Sequence, residues 1–258
     1  MGQFAIMVGQ LVGFFIMLMV GYGCVRLRFY GQTALDGMCS LLLNVLIPLL
    51  VFSNAMAGAD RAQVEANWGA MLLTAVMYAL LILVFRLVAW ALRLKGSRSH
   101  VFQAALIFGN AGFIGIMLAL VLIMLGVRIP SIVLTPLRTI GGMATPMSLI
   151  YLGGLFALTK WWGVLKRYEL YVGLVAKMIA FPLGLYALLT AAAGALPELP
   201  ITHDMIMMIT LVAGLPTMTT IAMFTARRNN MPDYAVGFVL VSTLFSLLSL
   251  TIVSAVVF

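Results

Sequence analysis

The sequence predicts an all-α integral membrane protein of about eight transmembrane helices. Three observations carry that prediction. The 258 residues are 64% hydrophobic and only 9% charged, whereas a soluble domain is roughly 45–50% apolar and 25% charged. A soluble fold has too little interior to hide so much apolar surface. The apolar residues fall into runs of about 20, the length that crosses a bilayer as a helix. The charges lie between the runs, so the formal net charge of +8 reads as loop lysines and arginines that set orientation. Nucleic acid is not an expected partner; membrane lipid is.

The runs cover residues 4–25, 38–56, 69–92, 101–127, 139–158, 170–194, 204–226 and 234–258. Met1-Gly2-Gln3 puts no positive charge ahead of the first run, which is therefore expected to be a retained span. Its Gly9 and Gly13 form a GxxxG, which favours helix packing. Cys24 and Cys39 flank the first loop without metal-site spacing and are expected to be reduced. The second run holds Asn44 and Pro48, and the third holds Arg86, a residue placed to snorkel toward the inner interface. Residues 129–138 read as a short amphipathic piece at the membrane surface. The fifth run holds Thr145-Pro146 and Ser148, the sixth Lys177 and Pro182.

Arg26 and Arg28, then Arg93, Lys95 and Arg98, then Lys160, Lys166 and Arg167, then Arg227 and Arg228 fall in alternate loops. The other loops hold only Arg61 and Arg128, with Asp60, Glu65, Glu198 and Asp204 nearby. The positive-inside rule then places both termini outside in a multi-pass protein of the cytoplasmic (inner or plasma) membrane. Trp68, Trp90, Trp161 and Trp162 fall at span ends, as an aromatic belt requires.

Two spans carry helix-disrupting residues in mid-run: Phe108-Gly109-Asn110-Ala111-Gly112 in the fourth and Gly214-Leu215-Pro216-Thr217-Met218-Thr219-Thr220 in the seventh. Broken backbone at membrane depth is tolerated only where it is buried in protein or lines a wet cavity. Breaks in corresponding, oppositely directed spans point to a transporter's substrate site. The second and fifth spans repeat a lesser pattern, a polar residue beside a proline (Asn44 with Pro48, Thr145 with Pro146), and also run in opposite directions. This divides the single transmembrane domain into repeats of about 1–117 and 118–258, incomplete at their junction.

A broken helix exposes unpaired N–H groups at the start of its second half, where the dipole favours an anion. Pro216 frees a carbonyl in the preceding turn. Asn110, Thr217, Thr219 and Thr220 add side-chain donors, and Gly112 lets backbone approach closely. The plainer reading is that the glycines serve helix packing and the threonines bond their own backbone. Lys177 lies about 10 Å into the sixth span, at ~1.5 Å per residue. Two readings stand side by side for it: a counter-charge for a substrate carboxylate, or a lysine that snorkels or bonds a freed carbonyl near Pro182. Asn44 either lines the cavity or satisfies backbone near Pro48. Every Asp and Glu falls in a loop or at a span end, Glu169 included. A carboxylate proton relay lacks its residues, so coupling to H+ through the substrate's own acid and coupling to Na+ through freed carbonyls both stay open. No metal or organic cofactor is called for. Aspartate pairs within a span, a zinc motif and a serine–histidine pair at mid-depth are all missing from the sequence, which argues against an enzyme.

Several stretches together resemble the auxin efflux carrier family over nearly the whole chain. They are the proline run of the second span, Gly109-Asn110-Ala111-Gly112-Phe113-Ile114-Gly115-Ile116, Lys177-Met178-Ile179-Ala180-Phe181-Pro182, Leu215-Pro216 through Ala226-Arg227-Arg228, and Ser242-Thr243-Leu244-Phe245-Ser246-Leu247. The resemblance implies a ten-helix fold of two inverted five-helix repeats whose broken helices cross near the midplane, and secondary transport of organic anions such as carboxylates. Asn110 and Pro216 would sit at the crossover. Pro48, Pro146 and Pro182 would bend the scaffold around it. A homodimer is the assembly it suggests. This chain departs from the pattern after Ile116. The sequence passes directly from the fourth span to what resembles the end of the family's sixth, as though about two spans were missing. The resemblance therefore allows a second function, a shortened member that inserts but acts as a scaffold or is a degenerate product.

Overall fold

The structure is a computed structural model that describes residues 2–58, 62, 68–107, 119, 122–126, 129–195 and 201–257. Among these, all regular structure is helical. The helices are α1 (Gly2–Arg26), α2 (Gln32–Leu41), α3 (Ile47–Gly58), α4 (Trp68–Ala91), α5 (Gly96–Ile107), α6 (Ser131–Gly142), α7 (Ala144–Leu158), α8 (Tyr168–Val175), α9 (Phe181–Ala195), α10 (His203–Ala213), α11 (Thr220–Arg227) and α12 (Pro232–Val257). Five continuous stretches are long and apolar enough to cross a membrane: Gln32–Ala57, Trp68–Ala91, Ser131–Leu158, Tyr168–Ala195 and Pro232–Val257. Val12–Arg26 and His203–Ala213 are shorter apolar helices.

One sequence expectation changes here. Residues 131–142 are not a separate surface piece but the first half of the fifth span, continuous with α7 through Met143. The amphipathic pattern arises because this half lays one face on α3. Gly141 permits that contact, since a Cβ there would lie 2.6 Å from the backbone nitrogen of Leu50.

Three prolines explain the irregular turns. A proline lacks the N–H that would bond the carbonyl four residues back, and its ring crowds that carbonyl. A five-residue π turn, Leu42–Leu46, precedes Pro48, and another, Ala176–Ala180, precedes Pro182 at the same offset. A π turn widens the helix by one residue and relieves this clash. Upstream of Pro146 the strain is met by a helix boundary at Met143, φ −69° and ψ −16°.

The chain forms two compact units, each drawn from both halves of the sequence. The smaller holds residues 9–66 and 110–159. Its α2–α3 span packs antiparallel to α6–α7: Leu50 meets Gly141 near one end, and Leu35 meets Gly154 near the other. The part of α1 in this unit crosses α7 with backbone against backbone. A Cβ on Gly21 would overlap the Ile150 carbonyl, and one on Gly153 the Leu18 carbonyl. The GxxxG glycines make no such contact among the described residues, where a Cβ on Gly9 or Gly13 would meet nothing within 4 Å.

The larger unit holds residues 1–8, 67–109 and 160–258. Its core is aromatic and aliphatic, with Phe102 and Phe238 edge to face at 5.8 Å and Phe85 near Phe181 at 6.3 Å. The α4–α5 turn needs left-handed backbone at Arg93 and Gly96, φ 53° and 58°. Thr202 caps α10 by accepting from the Met205 N–H at 3.3 Å.

Candidate functional site

The seventh span is interrupted where its sequence predicts. α10 ends at Ala213, residues 214–219 belong to no helix, and α11 starts at Thr220. The N–H of Gly214 still bonds the carbonyls of Thr210 and Leu211, and that of Leu215 bonds Val212. Pro216 then ends the ladder, since it has no N–H to give. The Thr217 N–H instead donates to the Ser242 hydroxyl of α12 at 3.2 Å, and Ser242 passes its own proton to the Val239 carbonyl at 3.0 Å. Behind the break stands Pro182 of α9, whose Cγ lies 3.3 Å from a Cβ built on Gly214.

The break has spare hydrogen-bonding capacity. Thr217 and Thr220 are 4% and 5% exposed, and neither hydroxyl has a partner among the described residues. Thr219 occupies the cap position of α11 but its side chain makes no capping bond. Among the described residues, no acceptor takes the N–H groups of Met218, Thr219 or Thr220. Buried donors in native proteins are almost always satisfied. An orphaned cluster at a helix start, where the dipole is positive, suits a negatively charged ligand. The sequence alone did not mark Ser242 as the residue that holds this loop open. It also missed the buried hydroxyl row Ser242, Ser246 and Ser249, on one face of α12. The spacing of four and three was legible; which face it occupies was not.

Lys177 is 4% exposed, within the π turn before Pro182. Its ammonium donates to the Leu106 carbonyl of α5 at 2.7 Å. Of the two readings of this lysine, the carbonyl-bonding one describes its contact, but the carbonyl belongs to the fourth span and not to the turn near Pro182.

Glu169 stands at a span end, as read from sequence, and it is fully buried in the first turn of α8. Arg98 of α5 donates to its Oε1 through Nε at 2.8 Å and also through a terminal nitrogen, and Arg167 lies 3.8 Å away. That hydrogen bond raises the Arg98 pKa, against the opposing effect of burial. Glu169 Oε2 and the Tyr234 hydroxyl remain unpartnered among the described residues, and the Arg167 guanidinium lies 5.3 Å from the centre of the Tyr234 ring.

Asn44 lies in the π turn before Pro48, in the smaller unit, with its side chain exposed. Pro48 is half-buried, Pro146 exposed and Pro182 buried. Asn110 and Gly112 fall outside the described residues. The structure thus brings Pro216, Thr217, Thr219, Thr220 and Pro182 together in the larger unit. An apolar cavity of about 310 Å³ lined by Leu80, Val84, Ala176 and Phe181 also lies in this unit. Its lining side chains supply no hydrogen-bond donor, so it does not suit an anion.

An all-helical, multi-pass chain with a buried, donor-rich interruption in one apolar span belongs to the class of membrane transport proteins. Comparison with known families agrees. A family model described as a membrane transport protein matches residues 6–120 and 113–254, nearly the whole chain. The protein belongs to the auxin efflux carrier family, which is a transport family and not an enzyme family. No curated protein matches the chain.

Proposed function

We propose that this protein is a secondary transporter of small organic anions, carboxylates in particular, across the cytoplasmic membrane. The observation that carries this reading is the break at residues 214–219, where N–H groups and two buried threonine hydroxyls find no partner among the described residues. Such donors recognise a carboxylate, and the α11 dipole adds to the attraction. Pro216, Thr217, Thr219 and Thr220 form one wall. Asn110, Gly112 and Asn44 are proposed as further substrate-binding residues on the sequence pattern alone, and Lys177 supports the site. Pro48, Pro146 and Pro182 bend the surrounding helices.

The helix directions support eight alternating spans. The second and fifth pack antiparallel, and the fourth and sixth run parallel, as alternating spans demand whichever side the N-terminus lies on. On this reading both termini are outside, and the two inverted repeats meet near residue 117. The family match comes in two pieces that overlap at 113–120, which supports a shortened junction between them. A homodimer is the proposed assembly. Protons carried on the substrate acid or sodium held by freed carbonyls would supply the driving force.

The test is uptake of labelled malonate, malate and an indole acid into proteoliposomes of the 258-residue chain, with and without a pH gradient. Saturable uptake lost in Asn110→Ala and Pro216→Ala at normal reconstitution is the expected result. A well-folded sample that takes up none of these acids would favour the shortened scaffold instead.

A further inference from the structure

Three contacts between the fourth and sixth spans share one offset. Arg98 pairs with Glu169, Phe102 packs on Gly173, and Leu106 accepts from Lys177, each pair 71 positions apart. On either side the residues recur every four positions, so they stand on one face of each helix. The constant offset means that α5 runs parallel and in register with α8 and its π turn. The first and last rungs lie about 12 Å apart, at ~1.5 Å per residue. The middle rung is tight, since a Cβ on Gly173 would lie 2.8 Å from Phe102 Cε2 and 2.9 Å from Leu106 Cδ1.

The third rung falls at an informative place. In an uninterrupted helix the Leu106 carbonyl accepts from the N–H of residue 110, which is Asn110, the centre of the motif that predicts a break. Here that carbonyl is taken by a buried ammonium. We propose that Lys177 is a positioning residue, whose ammonium holds the Leu106 carbonyl and so pins α5 to the sixth span. This rests on the proposed anion site only in its consequence for transport. The sequence predicts a break at residues 108–112, and an ammonium fixed on the Leu106 carbonyl fixes the residues that lead into it. Lys177 does so without touching substrate.

Hydrogen–deuterium exchange of the full chain in lipid, read beside uptake, tests both parts. Lys177→Met is expected to raise amide exchange at Gln103–Ile107 by about tenfold, with exchange at Gly96–Arg98 and in α7 unchanged. Lys177→Arg should restore most of the protection. Where Lys177→Met does not reconstitute, Lys177→Gln keeps a donor without the charge and should raise the same exchange by about threefold. Uptake by these variants should weaken through KM, and equally for mono- and dicarboxylates. Unchanged exchange at Gln103–Ile107, or a rise that spreads evenly to Gly96–Arg98, would overturn the pin. A loss confined to dicarboxylates would overturn it in favour of a direct counter-charge. The exchange result stands whether or not the protein carries organic anions, so failure of the transport reading is seen separately.

Discussion

The two compact units are held together by different chemistry. The smaller is closed by backbone approach: Gly21, Gly141 and Gly153 each put a helix against another's main chain. Among its described residues the buried polar side chains are Ser53 and Ser148, whose hydroxyls bond carbonyls of their own helices, while the hydroxyl of the half-buried Thr159 is enclosed without a partner. The larger unit buries a carboxylate, an ammonium and most of the chain's buried hydroxyls, several with no partner. In hydrocarbon, where burying apolar surface drives no association, close glycine packing suffices to make a rigid body. Retaining unpaired polar groups costs stability. Among the described residues, Thr217 and Thr220 carry such groups at the broken helix of the larger unit, and Glu169, Tyr234 and Ser249 carry them elsewhere in it.

The comparison can be broken most forcefully at the glycine contacts. Gly153→Leu should push α1 from α7 and cost about 3 kcal/mol or more. The check is the fraction surviving heating in detergent, and a variant as heat-stable as the parent would remove the backbone-contact account of the smaller unit. Next in size is Arg98→Ala, which leaves buried Glu169 with the more distant Arg167. The loss should be about 2 kcal/mol, below the 3–5 typical of a fully buried pair because Arg98 is 38% exposed. Glu169→Gln, which removes the stranded charge, should recover part of that loss in the double variant, as a double-mutant cycle would reveal.

Thr217→Val and Thr220→Val sharpen the contrast because two effects should oppose each other. Removing an unpartnered buried hydroxyl should leave the melting temperature unchanged or slightly higher. The uptake KM for a carboxylate should rise by about tenfold, the worth of one hydrogen bond to a charged group. A fall in stability without a change in KM would make these hydroxyls structural. The smallest effect is expected at Gly13→Ala, where a methyl meets open space. Stability should change by less than ~0.5 kcal/mol, and a large loss would mean that this face packs against a second copy.

How much was legible depended on whether a feature is local. The interruption at 214–219 was readable because Gly214, Pro216 and the threonines act on their own backbone. The π turns were half-readable: Pro48 and Pro182 announce a disturbance one turn upstream, but not that it takes π form. The burial of Glu169 was not legible, because it depends on Arg98, from a helix 71 positions away, together with Arg167. The glycines show the limit best. Gly9 and Gly13 fit a packing motif and Gly21 and Gly153 fit none, yet the second pair makes the contact.

The sequence by itself determined that this is a multi-pass helical membrane protein, because composition, span length and charge placement are properties of the chain and its solvent, and the resemblance of its motifs pointed to the transport family. It also determined one broken span, since helix disruption is local. The tertiary structure decided which glycines touch backbone, which serine holds the break open, and which carbonyl Lys177 takes. Those depend on register between helices far apart in sequence, and register is set by packing over whole faces, not by any short stretch of residues.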